Sequence, residues 1–264
     1  MTNVREALLR TIWHGQDPFL NYPSRLYRQD HQGWASSHHY LSDAVEALRP
    51  SVVVEVGVWK GASVISLASR MKAMNLDGVV VAVDTWLGAW DHWTNEEWFA
   101  HLNFSSGYPA LYHTFAANIV GEGLQEYVLP LPLDSVNAAN VLRHHVVDVD
   151  VVHIDGGHDY HAVTSDLREW WPMIRPEGVL IGDDYPHWPG VKKAFDNFFI
   201  AQGKFPFDVS RRSAGSVNKG FSVSWVSGQS KKEIRHRMAV PEITRTSAQA
   251  RYTGRPWRVR NCAV

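Results

Sequence analysis

Six acidic residues stand where they could do chemistry together. Glu55, Asp84, Asp134, Asp155 and the pair Asp183–Asp184 each close or closely follow a short apolar run. When such runs are parallel strands of one sheet, ligands bind in the crevice outside their carboxyl ends. One acid at one strand end is unremarkable, but the repetition over five runs points to a site. The first of these turns reads Glu55-Val56-Gly57-Val58-Trp59-Lys60-Gly61. A pyrophosphate loop needs several glycines for close backbone approach and no anion nearby. Here Trp59 stands where a middle glycine would be, and Glu55 would repel phosphate, which argues against a dinucleotide.

A ligand that carries positive charge suits this acidic rim, and S-adenosylmethionine, with its sulfonium and ammonium, is the cofactor expected. Asp84 is placed to accept hydrogen bonds from ribose hydroxyls, as acids at that strand end do in nucleotide folds. Asp134, beside Ser135, could take the adenine amino group. The segment 85–109 is rich in Trp and His, and Trp90, His92 and Trp93 are candidates to close over a pocket. The plainer reading of each indole is core packing, since a Trp buries a large apolar area.

Four stretches in order, VVVEVGVWKGASVISLA, VVVAVDTW, VDVVHIDGGHDYHAVTSDL and GVLIGDDY, resemble the class I methyltransferases, in particular the metal-dependent sugar and macrolide O-methyltransferases. The likeness covers about residues 40–200. It implies that Glu55, Gly57, Gly61, Ser63 and Asp84 bind S-adenosylmethionine; from their positions at the strand ends, Asp134, Ser135 and Asp155 are expected to complete that site. It also implies Mg²⁺ on Asp155, Asp183 and Asp184, and His158 as general base.

These roles make chemical sense. Three carboxylates in one crevice repel unless protonated or joined to a cation. All-oxygen ligands select a hard ion, so Mg²⁺ is expected, with Mn²⁺ or Ca²⁺ as substitutes. A hydroxyl held near that ion loses its proton more readily, and an imidazole with a pKa near 6.5 can take it. Trp90, His92 and Tyr160 are the residues expected to face the acceptor, a hydroxyl of a sugar or sugar-containing small molecule. A catechol-type O-methyltransferase would share the metal set. A cephalosporin-hydroxylase-like protein or a non-catalytic cofactor-binding partner are the further alternatives.

The elements that would position these groups alternate along the chain. Strands are predicted at 51–56, 79–83, 127–131, 149–154 and 178–181, with helices at 39–48, 62–74, 110–120, 136–145, 160–174 and 189–202. A closing hairpin is predicted at 205–209 and 221–225. This order implies an α/β fold: a doubly wound, mostly parallel seven-stranded sheet with an antiparallel edge. Residues 1–38 read as an irregular N-terminal cap or lid segment, 39–228 as the catalytic domain, and 229–264 as a basic tail with nine Lys/Arg against two Glu. Over its 264 residues the chain has a formal net charge of -1, which gives no field for nucleic acid. A single cysteine, Cys262, and the absence of a long apolar run favour a cytoplasmic protein that does not engage membrane. A homo-oligomer is expected.

Overall fold

A computed structural model describes residues 3–33, 38–185, 187–201, 208–211 and 221–226. The first half of the chain forms α1 (Val4–Ile12), α2 (His39–Leu48), β1 (Val52–Val56), α3 (Ala62–Ala73) and β2 (Val79–Val83). An insertion follows, with short helices α4 (Trp90–Thr94) and α5 (Glu96–Phe99) and a hairpin of β3 (Phe104–Ser105) and β4 (Tyr108–Pro109). Then come α6 (Leu111–Gly121), β5 (Val128–Leu131), α7 (Ser135–His144), β6 (Val149–Ile154), α8 (Tyr160–Trp170), β7 (Ile174–Gly182) and α9 (Pro189–Ile200). An antiparallel pair, β8 (Asp208–Arg211) and β9 (Phe221–Val226), closes the described chain.

The seven-stranded sheet has the order β5-β2-β1-β6-β7-β9-β8. β5, β2, β1, β6 and β7 are mutually parallel, while β9 joins β7 antiparallel. β1 and β2 are unbroken runs such as VVVEV, buried at every position, which is the pattern of a parallel sheet covered on both faces. Successive side chains feed two cores. Val52, Val54 and Val56 pack with α1, α7, α8 and α9, whereas Val53 packs with α2, α3 and α6. The doubly wound reading therefore holds, and the predicted strand positions match within a few residues.

Two local readings need correction. The first 38 residues are not irregular throughout: Val4, Leu8 and Leu9 of α1 enter the core, and buried Arg5 donates to the Val128 carbonyl and pairs with Asp17 at 2.9 Å. The predicted helix 160–174 stops at Trp170, and the following strand begins at Ile174 instead of 178. Pro172 explains this, because it has no N–H to donate to the Arg168 carbonyl and its ring crowds the preceding turn; Trp171 keeps helical geometry, and residues 171–173 form a single 3₁₀ turn. The segments 202–207, 212–220 and the basic tail lie outside the described residues. Among the described residues no helix is long and apolar enough to cross a membrane.

Candidate active site

The carboxyl ends of β1, β2, β5, β6 and β7 open on a cavity of about 550 Å³. The turn after β1 forms its floor. Gly57 has φ +84°, and a Cβ there would lie 2.2 Å from the Asp155 carbonyl oxygen, so the β1 and β6 loops touch backbone to backbone. Asp84 organises this turn. Its Oδ2 accepts from the amides of Val58 (2.8 Å) and Trp59 (2.9 Å), and its Oδ1 from the Trp86 amide (2.7 Å). These bonds hold Trp59 at φ +55°, a left-handed conformation that costs a non-glycine residue about 1–2 kcal/mol. The indole stacks on His92 at 4.6 Å and donates from Nε1 to Gln32, so both the insertion and the N-terminal segment reach the cavity.

Glu55 does not reach the cavity. Its position in β1 puts the side chain on the face shared with Val53, beneath the turn, where it is fully buried. Ser63 donates its hydroxyl to Oε1, and Oε2 faces Nδ1 of His153 at 3.5 Å, its register partner on β6. The acidic rim inferred from sequence therefore lacks this member, although Ser63, Gly57 and Asp84 all line the cavity. Gly61 does not; it lets α3 approach α6, since a Cβ would meet the Phe115 ring at 2.7 Å.

On the opposite side, Asp155, Asp183 and Asp184 all line the cavity, but they divide into two groups. Asp155 and Asp183 converge with His153, with one potential ligand atom of each lying within 4.8 Å of the others. Asp184, at φ +60°, instead places Oδ2 3.0 Å from Nε2 of His158. The other nitrogen of His158, Nδ1, faces Asp91 of α4 at 3.2 Å, and the ring stacks flat on Trp188 at 4.5 Å. Burial opposes the imidazolium, yet Asp184 and Asp91 outweigh it and raise the His158 pKa above its ordinary value. His153 is raised for a similar reason: burial opposes its charge, and Glu55 ahead of Asp183 and Asp184 favours it. The carboxylates of Asp155 and Asp183 thus fit a divalent cation, while the three-carboxylate set is not gathered at one point.

The third wall follows β5. Asp134 is the N-cap of α7, accepting from the Asn137 amide at 3.0 Å, and the side-chain bond from Asn137 leads the interactions that lower its pKa. Ser135 accepts from Trp170 Nε1 at 2.8 Å and bonds the carboxyl of Asp166. Asp166 is buried in the cavity wall, and burial pushes its pKa up to about 7.

Of the proposed acceptor contacts, His92 lines the cavity, whereas Trp90 and Tyr160 do not. Trp90 is 68% exposed on the insertion, and Tyr160 packs on the core with Lys193 over its ring. The sequence reading missed His153, Asp91 and Asp166. His153 was legible as one of two polar residues, with Asp150, in the strand VDVVHI; the other two carried no signal of their own.

Residues 54–185, half of the chain, match the family described as methyltransferase domain. A protein of Sinorhizobium fredii, the uncharacterized y4gI, is 27% identical over 158 residues, 58% of this chain. The chain spans only 15% of that relative's length. Among solved structures, the O-methyltransferase NovP superposes with TM-score 0.55 at 20% identity, covering 85% of this chain and 98% of its own. The Bacillus cereus O-methyltransferase solved with SAH gives TM-score 0.51 at 19% identity, covering 86% and 91%. The chain belongs to the methyltransferase-domain family, and its sheet is that of the class I, S-adenosylmethionine-dependent group.

Proposed function

We propose that this protein is an S-adenosylmethionine-dependent O-methyltransferase acting on a hydroxyl of a sugar or sugar-containing small molecule, with a divalent cation at Asp155 and Asp183. The observation that carries this reading is the single cavity bounded by the Asp84-braced turn on one side and by Asp155, Asp183 and His158 on the other. Two O-methyltransferases of the same fold, NovP and the SAH-bound Bacillus cereus protein, support the class of reaction.

Methyl transfer to a hydroxyl requires the oxygen to lose its proton as it attacks the sulfonium methyl. His158 is the residue proposed to take that proton at Nε2, after that nitrogen has released its own proton and the acceptor hydroxyl has replaced Asp184 beside it. Asp91 fixes the ring through Nδ1, and the two flanking carboxylates stabilise the imidazolium that results. Trp59 and Trp98 offer apolar walls that exclude water from the reacting carbons. A cation at Asp155 and Asp183, Mg²⁺ in the reading implied by the sequence resemblance, would make a nearby hydroxyl more acidic.

The test is methyl transfer from labelled S-adenosylmethionine to a panel of sugars, glycosides and catechols, with added Mg²⁺ and with EDTA. Transfer to glycosides that EDTA suppresses is expected. Preference for catechols would move the acceptor class, full activity in EDTA would remove the cation, and no transfer to any hydroxyl would remove the reaction.

A further inference from the structure

We infer that His153 is the third ligand of the cation site, with Asp155 and Asp183, so that the site prefers a first-row transition ion such as Mn²⁺ or Co²⁺ over Mg²⁺. The inference rests on the proposed function only for the presence of a cation. It departs from the three-carboxylate set implied by the sequence resemblance.

Three observations carry it. First, potential ligand atoms of His153, Asp155 and Asp183 lie within 4.8 Å of one another, and Asp184 is not of that group. Asp184 is committed elsewhere, to Nε2 of His158 at 3.0 Å. Second, His153 is only 2% exposed, on a strand face whose preceding inward residue is Val151. An imidazole there is costly to bury unless it is engaged. Third, Nδ1 of His153 faces Oε2 of Glu55 at 3.5 Å, and neither atom makes a hydrogen bond to any described residue. The second oxygen of Glu55 is held by Ser63. A carboxylate behind an imidazole is the usual support of a metal-binding histidine: it fixes the tautomer and leaves the other nitrogen for the ion. Glu55, buried and away from the cavity, then has a task that its position explains.

A nitrogen donor beside two carboxylates changes the selectivity. Mg²⁺ favours oxygen ligands and keeps its waters, whereas imidazole suits Mn²⁺, Co²⁺ and Zn²⁺ progressively better.

The full-length protein, stripped with chelator, is titrated calorimetrically with Mn²⁺, Co²⁺ and Mg²⁺, and the Mn²⁺ form is read by pulsed EPR for coupling to ¹⁴N. One site is expected, binding Co²⁺ and Mn²⁺ more tightly than Mg²⁺. The nitrogen coupling should persist in His158→Ala and vanish in His153→Gln, whose affinity should fall roughly 10–100-fold. Asp184→Asn should leave affinity nearly unchanged. Should His153→Gln fail to fold, the Mn²⁺ spectra of the wild type and of His158→Ala decide by themselves. Mn²⁺ bound without nitrogen coupling, or binding lost in Asp184→Asn and kept in His153→Gln, would overturn the assignment. If no ion binds at all, both this inference and the cation of the proposed function fail. Ion binding without methyl transfer would remove only the function.

Discussion

His158 and Asp166 show how differently two titratable groups behave in one cavity. The carboxylates on both sides of His158 hold a proton on the ring, which must lose one before it can serve as a base. His158→Ala is expected to slow the chemical step roughly 10²–10⁴-fold, with S-adenosylmethionine binding retained; single-turnover kinetics and calorimetry measure the two separately. Burial instead keeps the Asp166 carboxyl protonated up to about pH 7, far above the usual carboxylate range. A folded-state pKa raised in this way means that the native protein holds the proton more tightly than the unfolded chain does. The group therefore stabilises the fold fully below about pH 4, and this contribution is lost as pH rises toward 7. Asp166→Asn removes that loss. Its melting temperature should exceed that of the wild type at pH 8, and the difference should shrink toward zero near pH 4. An equal offset at both pH values would mean that Asp166 is not buried as a protonated acid. Neither environment could be read from the chain, because Asp91 lies 67 residues from His158 and the burial of Asp166 depends on how α8 packs.

The β1–α3 turn is the element that most constrains the site. Its backbone rests on the β6 loop at Gly57, and its amides rest on Asp84. Gly57→Ala combines a left-handed φ with a Cβ only 2.2 Å from a carbonyl oxygen. It is expected to destabilise the protein by more than about 2 kcal/mol and to abolish cofactor binding. Denaturant unfolding tests the first, and calorimetry on any soluble protein tests the second. An alanine variant of wild-type stability would show that the two loops are not in contact. At this scale the sequence was informative where elements are continuous apolar runs, as at Val79–Val83. It misled at α1, where polar and aromatic neighbours mask the spacing of Val4, Leu8 and Leu9, and at the α8–β7 junction, where Pro172 cuts an otherwise helical pattern short.

Across the whole molecule, the N-terminal segment, the insertion and the β1 turn meet at Lys60, which is 2% exposed. Its ammonium pairs with Asp30 at 2.6 Å and lies 3.0 Å from His101 Nδ1. Asn118 of α6 bonds the backbone of both Asp30 and Lys60. Asp30→Ala would leave a buried ammonium short of its carboxylate, with an expected cost of about 1–3 kcal/mol. Trypsin should then cut after Arg25 and Arg28 faster than in the wild type, and unchanged digestion would show that this pair does not hold the segment down. What the sequence determined by itself was the alternation of strands and helices and the crown of acids along one edge, because β-branched runs and strand-end acids are local patterns. The tertiary structure alone decided which acids share a point in space. Strand register aligns Glu55 with His153 and sinks both below the cavity, and a left-handed turn diverts Asp184 toward His158. Pairing and side-chain direction across strands are set by packing between distant segments, and no stretch of sequence carries that information alone.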